Sequence, residues 1–357
     1  MTTMATSLRQ GLLPAFPVLW MACAPPSPPA EPPPPGADAH EGAAYEITEV
    51  RPGIWHAVGT GAMNVGANAA IVDLGASLLL VDSHITPAAA WVLLEELAPL
   101  TPKPIRYVVN THFHFDHIHG NQVFGDEVEI LGHQTTYDIV SSGGSVSGTA
   151  WDGFVATLPN QIAAIEAELQ AAPEGEREEV AARLARMRAY QEATAAIEPI
   201  APTITLDGKL AIYRGGHEIQ LLWKGRGHTP GDVVVYLPER RVLITGDLVV
   251  FGLPFMGDAF PEWGDTVRRF AELDFELVLP GHGPPFEDRQ KLLNLADYLD
   301  DFWEQARGLH AAGTSAEDAA RTMDLTAHAP NFPGLIEGPG APQVAVERAY
   351  RFFERSE

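Results

Sequence analysis

Four potential metal ligands lie within six consecutive residues, in the segment 112–117, which reads HFHFDH. An apolar run at 105–109 precedes this segment and has the pattern of a buried strand. Side chains alternate along an extended chain, so His112, His114 and Asp116 can point to one side. A single histidine is usually structural, but several histidines beside a carboxylate are typical of a metal site. Because imidazole and carboxylate groups both bind borderline divalent cations, the segment predicts such a site.

Three later segments each place one more potential ligand at the end of a predicted strand. They are Gly227-His228-Thr229, Gly246-Asp247 and Gly281-His282-Gly283. A glycine next to each ligand allows the tight backbone path that brings loop residues to a common ion. The pattern therefore predicts that His228, Asp247 and His282 join the first cluster.

The sequence contains no motif for another kind of catalysis. Neither a Gly-x-Ser-x-Gly nucleophile motif nor a Walker-type phosphate loop occurs. The only cysteine is Cys23, so the chain can form no internal disulfide and cannot build a thiolate metal site in its folded body. The metal ligands must then be histidines and carboxylates, and water is the expected nucleophile.

Composition limits the partners of the chain. Its 357 residues carry a formal net charge of −24, and 46% of them are hydrophobic, which is enough for a buried core. Such an acidic chain offers no basic surface to neutralise phosphates, so nucleic acid is not an expected partner and a nuclease is disfavoured. The expected partner is a small-molecule substrate. No pattern predicts an oligomeric state.

The N-terminal residues resemble an export signal. Arg9 precedes an apolar stretch at 11–22, which a Pro-rich run follows. At about 12 residues the stretch is too short to span a membrane but suits a signal segment. Residues 1–23 are therefore expected to direct export to the periplasm or to the outer side of a membrane, with contact to lipid only through a lipoprotein-type anchor at Cys23. Trp20 stands where a lipoprotein signal usually has Leu, so a disordered N-terminus with an incidental cysteine is the alternative.

The remaining chain divides into three predicted parts. Residues 24–44, rich in Pro and Ala, are expected to form a disordered, solvated tether. A catalytic domain is expected at 45–287, and a helical extension at 288–357. Within the domain, the Ala-, Glu- and Arg-rich segment at about 159–198 predicts an inserted pair of helices. This insert is expected to cap the site, to pair with another chain or to cover a sheet edge.

Hydrophobic patterning predicts an α+β fold. Short apolar runs bounded by Gly, Pro or Asn predict strands at 45–50, 54–58, 69–73, 78–82, 105–109, 128–131, 204–206, 210–213, 219–223, 233–237, 242–245 and 276–279. Helices are predicted at 87–97, 134–140 and 266–273, with a flexible loop at 141–148. Two runs of strands, each followed by helices, favour two sheets packed face to face with helices outside.

The ordered set H-x-H-x-D-H, G-H-T, G-D and P-G-H-G resembles the metallo-β-lactamase superfamily, over roughly residues 45–285. This resemblance implies a four-layer αββα sandwich, here with a helical insert and C-terminal helices. It also implies two divalent metal ions, with zinc expected and iron or manganese as alternatives. The implied ligands are His112, His114 and His228 for one ion, Asp116, His117 and His282 for the other, and Asp247 as a bridge between the two.

The same resemblance implies a hydrolase that uses a metal-bridged hydroxide, with Asp116 as the catalytic residue that orients the hydroxide or moves its proton. Expected substrates contain an ester, lactone, thioester or β-lactam amide. Asp247 stands where the best-known zinc β-lactamases have Cys or Ser, which makes the site more similar to the glyoxalase II, lactonase and arylsulfatase-like branches. Three alternatives stay open, namely a β-lactamase, an iron-dependent oxidoreductase of the same fold and a surface-tethered metal-binding protein without turnover.

Some residues near the motifs carry weaker expectations. Asp82 is a candidate partner for a ligand histidine, whereas His119 is expected to be exposed or to cap a helix. Asp232 is expected either to fix the ring of His228 or to cap a turn. The aromatic residues Trp151 and Phe154 and those at 251–263 are expected either in loops that border the cleft or in the core, and the 251–263 set is the first candidate for a substrate wall.

Overall fold

The computed structural model describes residues 32–147 and 149–356. The predicted export signal, with Cys23, lies outside the described residues. Within the described part, no helix combines the length and apolar character that crossing a membrane requires. The unit that begins at Pro33 contains two β-sheets and the helices that cover them.

The first sheet has seven strands, hydrogen-bonded in chain order. They are β1 (Tyr45–Arg51), β2 (Ile54–Gly59), β3 (Ala69–Asp73), β4 (Leu78–Val81), β5 (Ile105–Val109), β6 (Glu129–His133) and β7 (Ile204–Leu206). The pairs from β1 to β4 are antiparallel, and those from β4 to β7 are parallel. The carboxyl ends of β4 and β5 therefore meet at one edge of the sheet.

The second sheet has five strands, in the spatial order β12-β11-β10-β9-β8. They are β8 (Lys209–Arg214), β9 (His217–Leu222), β10 (Val234–Leu237), β11 (Val242–Gly246) and β12 (Leu277–Pro280). Strands β11 and β12 are parallel, so their carboxyl ends also lie side by side. Every residue of β10, β11 and β12 is buried, as expected for strands covered on both faces.

Nine helices are found among the described residues. They are α1 (Pro87–Leu97), α2 (Phe115–Ile118), α3 (Gln134–Ser141), α4 (Thr149–Ala171), α5 (Arg177–Ala195), α6 (Trp263–Ala271), α7 (Gln290–Ala311), α8 (Ala316–Thr322) and α9 (Gln343–Ser356). Helix α1 begins as the sequence predicts, because the Thr86 hydroxyl accepts a hydrogen bond from the Ala89 amide and Pro87 occupies the first turn.

The core has four layers. Val72 and Val109 of the first sheet pack in one apolar cluster with Leu221 and Val235 of the second, so the two sheets lie face to face. Helix α1 covers the outer face of the first sheet, whereas α6, α7, α8 and α9 share a cluster with the outer face of the second. The predicted αββα sandwich is confirmed, and the C-terminal helices belong to its outer layer.

The helical insert begins earlier than predicted. Helix α4 starts at Thr149 and continues through Pro159, so Trp151 and Phe154 lie on a helix and not in loops. Proline normally disfavours a helix interior, but Ile162 and Ile165 pack against Val180 and Leu184 of α5. This packing stabilises a helix that local propensity alone does not predict.

The predicted tether is only partly solvated. Ala37 and Ala44 are buried in the cluster that contains α1, and an added Cβ on Gly36 would contact the Ala189 carbonyl of α5. The Ala44 and Tyr45 amides both donate to the Glu96 carboxylate, at 2.7 and 3.0 Å. Residues from about 36 onward thus belong to the fold, because small side chains let this segment pack closely on it.

Candidate metal centre

The seven predicted ligands converge at one edge of the two sheets. The 112–117 segment follows β5, Asp247 follows β11, and His282 follows β12. His228 lies in the loop between β9 and β10. Loop ends from both sheets are joined here, since the Val233 amide donates to the Thr111 carbonyl at 2.7 Å.

Three histidines form a first group. The nearest ring nitrogens of His112, His114 and His228 all lie within 4.8 Å of one another. His114 Nδ1 lies 2.9 Å from His228 Nε2, so two imidazole nitrogens face each other at hydrogen-bond distance. Burial, together with the neighbouring His114, lowers the pKa of His228 to about 3, so the His228 ring is neutral and can donate a lone pair.

A carboxylate and two histidines form a second group. Asp116 Oδ2 lies 3.2 Å from His282 Nε2 and 3.5 Å from His117 Nε2. Burial raises the pKa of Asp116, but the adjacent His117 and His282 rings prevail and lower it to about 2. Asp116 is therefore ionised at neutral pH.

Asp247 lies between the two groups. Its Oδ2 atom is 3.7 Å from His228 Nε2 and 3.3 Å from His282 Nε2, and its Oδ1 atom is 3.4 Å from His117 Nε2. Position 281 requires a glycine, because a Cβ there would collide with Asp247 Oδ1. One carboxylate thus contacts histidines of both groups, as the bridge assignment requires.

The donor atoms fit divalent cations. His112 Nε2, His117 Nε2 and Asp247 Oδ1 are buried and make no hydrogen bond with the described residues. Buried polar atoms normally have a partner, and a cation would supply one for all three. Nitrogen and carboxylate oxygen in these numbers suit zinc and the neighbouring transition metals.

Asp82 contacts His117 of the second group directly and His112 of the first group through Thr111. It accepts hydrogen bonds from the Thr111 amide and hydroxyl, at 2.8 and 2.9 Å, and lies 2.7 Å from His117 Nδ1. The Thr111 hydroxyl in turn lies 3.0 Å from His112 Nδ1. Asp82 has a φ of 64°, a strained value for a residue with a side chain. The predicted role of Asp82 as the partner of a ligand histidine is confirmed.

His119 does not occupy the exposed position that we expect from the sequence. Its ring is buried, and its Nε2 atom lies 3.2 Å from the Ser145 carbonyl oxygen. Trp151 of α4 packs edge-on against it, with ring centroids 4.9 Å apart. The expected exposure is wrong because the insert begins early enough to cover this ring, whereas the expected helix cap is confirmed, since His119 is the C-terminal cap of α2.

Asp232 caps a turn and does not hold the ring of His228. Its carboxylate accepts hydrogen bonds from the Thr229 amide and hydroxyl, the shortest at 2.7 Å. Burial raises the pKa of Asp232 to about 7, although the bonds from Thr229 oppose this shift. Of the two expectations for Asp232, the structure shows the turn cap.

Asp258 contacts a ligand histidine that sequence reasoning does not assign to it. Its Oδ2 atom lies 3.0 Å from His114 Nε2. The residue lies in the irregular loop between β11 and α6, outside every recognised motif. The local sequence shows only an acidic residue among aromatic and glycine residues. This pattern does not predict which ligand Asp258 contacts.

Aromatic side chains border the site on two sides. Phe251 and Phe255 are 43% and 50% exposed, and the Phe255 ring lies 6.2 Å from that of His114. On the insert side, Phe115 stacks on Phe154 at 5.2 Å. Of the predicted substrate wall at 251–263, Trp263 is instead buried in the core, so only the first part of the set faces solvent.

Comparison with known proteins gives a family match and several relatives. The family model described as the metallo-beta-lactamase superfamily matches residues 62–133 and 149–282. A linear primary-alkylsulfatase from Pseudomonas sp. (strain ATCC 19151) is 25% identical over 306 residues, which cover 79% of this chain and 55% of the relative. The chain thus spans about half the length of that relative. A metallo-beta-lactamase type 2 from Bacillus cereus is 23% identical over 272 residues, covering 73% of this chain and 84% of the relative.

A solved structure shares the fold. The metallo-beta-lactamase from Pontibacter korlensis superposes with a TM-score of 0.50 at 20% identity, and the match covers 71% of this chain and 99% of that protein. This likeness concerns the fold alone.

Proposed function

The chain belongs to the metallo-beta-lactamase superfamily, and from this premise we propose that it is a dinuclear metal-dependent hydrolase that cleaves carbonyl-centred bonds in a small molecule. The observation that carries the proposal is the position of Asp247, whose carboxylate lies within 3.7 Å of histidines from both ligand groups. When bound, two divalent cations, with zinc expected, supply an acidic water and polarise the bond to be cleaved.

The side chains of the site divide the work. His112, His114 and His228 would hold one ion through ring nitrogens, whereas Asp116, His117 and His282 would hold the other. Asp116, ionised at neutral pH, would help to hold the second ion, and its carboxylate would accept the proton of an attacking water. Burial of His112, His117 and His228 keeps bulk water away from these three rings, which strengthens the charge interactions around them.

Esters, lactones and thioesters are the proposed substrate classes. The half-exposed rings of Phe251 and Phe255 offer apolar contact beside the ligands, so we propose that the substrate carries an apolar group. A sulfate ester is the second candidate, favoured by the similarity to an alkylsulfatase over 79% of the chain. A β-lactam is the third, supported by similarity to the Bacillus cereus protein, although an aspartate occupies position 247.

Metal analysis and turnover measurements distinguish the hydrolase from two alternative functions. An iron-dependent oxidoreductase of the same fold would hold redox-active iron, whereas the hydrolase is expected to hold zinc. A binding-only protein would hold the metals without turning over any substrate.

Export is proposed on the sequence alone. The apolar stretch at 11–22 and Cys23 support an exported protein with a lipid anchor. The mass of the N-terminal peptide from cells tests this, because a lipid-modified Cys23 at the new N-terminus is expected. An unprocessed chain would contradict it.

The test of the main proposal uses the full chain loaded with zinc. Chromogenic esters, a lactone, a thioester, an alkyl sulfate and a chromogenic cephalosporin are assayed before and after a chelator removes the metal. Asp116→Ala is compared with Asp126→Ala, which changes an exposed aspartate outside the site. We expect hydrolysis of a carbonyl substrate that needs zinc, disappears in Asp116→Ala and persists in Asp126→Ala. Two bound metals without turnover of any ester, lactone or thioester would contradict the proposal.

A further inference from the structure

The two ring nitrogens of His114 have different partners. Nδ1 faces His228 Nε2 at 2.9 Å, inside the first ligand group, whereas Nε2 faces Asp258 Oδ2 at 3.0 Å. An imidazole that offers its Nδ1 lone pair to a cation carries its proton on Nε2. Asp258 is placed to accept that proton in a hydrogen bond, which fixes both the tautomer and the orientation of the ring.

A residue of the C-terminal extension holds the loop that carries Asp258. Arg348, on α9, donates from Nε to the Ala259 carbonyl at 3.1 Å and from Nη2 to the Asp258 carbonyl at 3.4 Å. The loop between β11 and α6 has no regular structure of its own at this point. Two donors from one rigid guanidinium therefore position two successive peptide groups of this loop.

Two guanidinium groups contact Phe260, the residue that follows Ala259 in the loop. The Arg348 guanidinium lies 4.9 Å from the centre of the Phe260 ring, and that of Arg226 lies 4.6 Å from it. The Phe260 amide donates to the Gly227 carbonyl at 2.9 Å, directly before the ligand His228. Arg348 is thus connected through residues 258–260 to two predicted ligands of the first group, His114 and His228.

The position of Arg348 depends on how α9 packs. The helix buries one face against the cluster formed by α6, α7 and α8, through Ala345, Val346, Ala349 and Tyr350. Arg348 lies beside this face and is half-buried. The packing of α9 and the partial burial of the Arg348 stem therefore restrict the position of the guanidinium.

We propose that Arg348 is a positioning residue of the metal centre, which acts through Asp258 to hold His114 in the orientation that binds the metal ion of the first group. The C-terminal extension is then part of the metal site, although it contributes no ligand. This inference rests on the proposed metal centre, so its test measures metal affinity directly.

The experiment titrates the chelator-treated full chain with zinc in competition with a chromophoric chelator, and repeats the titration with cobalt, whose absorption spectrum reports the ligand geometry. Arg348→Met keeps the apolar stem and removes the guanidinium. Arg351→Met is the matched control, because Arg351 is exposed on the same helix and its one ion pair with the described residues is to Glu347, at 3.9 Å. Asp258→Ala, in the loop, tests the contact to His114 without altering α9. The double variant Arg348→Met/Asp258→Ala completes the cycle.

We expect Asp258→Ala to weaken zinc binding at one site by about 10- to 100-fold and Arg348→Met by about tenfold, with altered cobalt spectra, whereas Arg351→Met binds as the wild type does. The double variant is expected to bind no more weakly than Asp258→Ala, because both changes break one connection. Wild-type affinity in either single variant would overturn the inference, and so would additive losses in the double variant. Failure of the wild type to bind zinc would instead refute the proposed function.

Discussion

The Oδ2 atom of Asp82 lies 2.7 Å from Nδ1 of His117, and both side chains are buried. This contact orients the ring so that His117 Nε2 faces Asp116 and Asp247. Burial lowers the pKa of His117, but the three carboxylates around it prevail and raise it well above its ordinary value. The buried imidazole is thus surrounded by negative charge that a cation would balance.

Asp82→Asn should weaken metal binding by about 10- to 100-fold without unfolding the chain. Asn tolerates the φ of 64° at this position, but its amide group cannot accept all three hydrogen bonds that the carboxylate accepts. Zinc competition titration measures the effect. Asp73→Asn is the control, since Asp73 pairs with Lys103 away from the ligands. Equal affinities in the two variants would show that Asp82 does not orient a ligand.

Asp247→Ala should lower metal content and activity together. The lost carboxylate contacts histidines of both groups, so its removal is expected to leave at most one tightly held ion per chain. Elemental analysis after gel filtration counts the ions, and Asp265→Ala, an exposed change on α6, serves as the control. A variant that keeps two ions and the normal rate would rule out the bridge.

His56→Gln should make the stability of the chain less sensitive to acid. Burial lowers the pKa of His56 to about 4, although a hydrogen bond to the Pro280 carbonyl raises it somewhat. Because the folded pKa lies below the unfolded value of about 6.5, the unfolded chain binds the proton more tightly, and stability is lost as the pH falls from about 6.5 to about 4.

At pH 5 this loss amounts to about 2 kcal/mol for His56 alone. Urea unfolding of the metal-free chain at pH 7.5 and pH 5 measures the difference. The wild type should lose more free energy of unfolding on acidification than His56→Gln loses. Identical pH dependence in both proteins would mean that His56 is not held neutral by the fold.

Phe255→Ala should reduce the preference for substrates with a long apolar group. The exposed ring next to His114 is proposed to contact that group, and partial burial of such a ring is worth about 1 kcal/mol, or about fivefold in KM. The ratio of KM values for long-chain and short-chain esters measures this effect. Tyr213→Ala removes a ring that is 65% exposed on β8 and provides the control. An unchanged ratio in Phe255→Ala would place the apolar group of the substrate elsewhere.

The order of the motifs and the spacing within 112–117 were sufficient to predict the family, the two-sheet sandwich and the set of residues that converges at the site. Those predictions succeed because they depend on local rules. Short apolar runs bounded by Gly, Pro or Asn mark strands such as β3 and β5, and ligands at the ends of parallel strands meet at one edge whatever the rest of the fold does.

The sequence predicts Asp82 as a supporting residue, but only the tertiary structure identified the others. Asp258 and Arg348 are 144 and 234 positions from His114 along the chain. No local sequence pattern relates residues that are so far apart. The burial of His119, the early start of α4 through Pro159 and the docking of Ala37 likewise depend on packing between distant segments. Local sequence sets which conformations are accessible, and long-range packing selects among them.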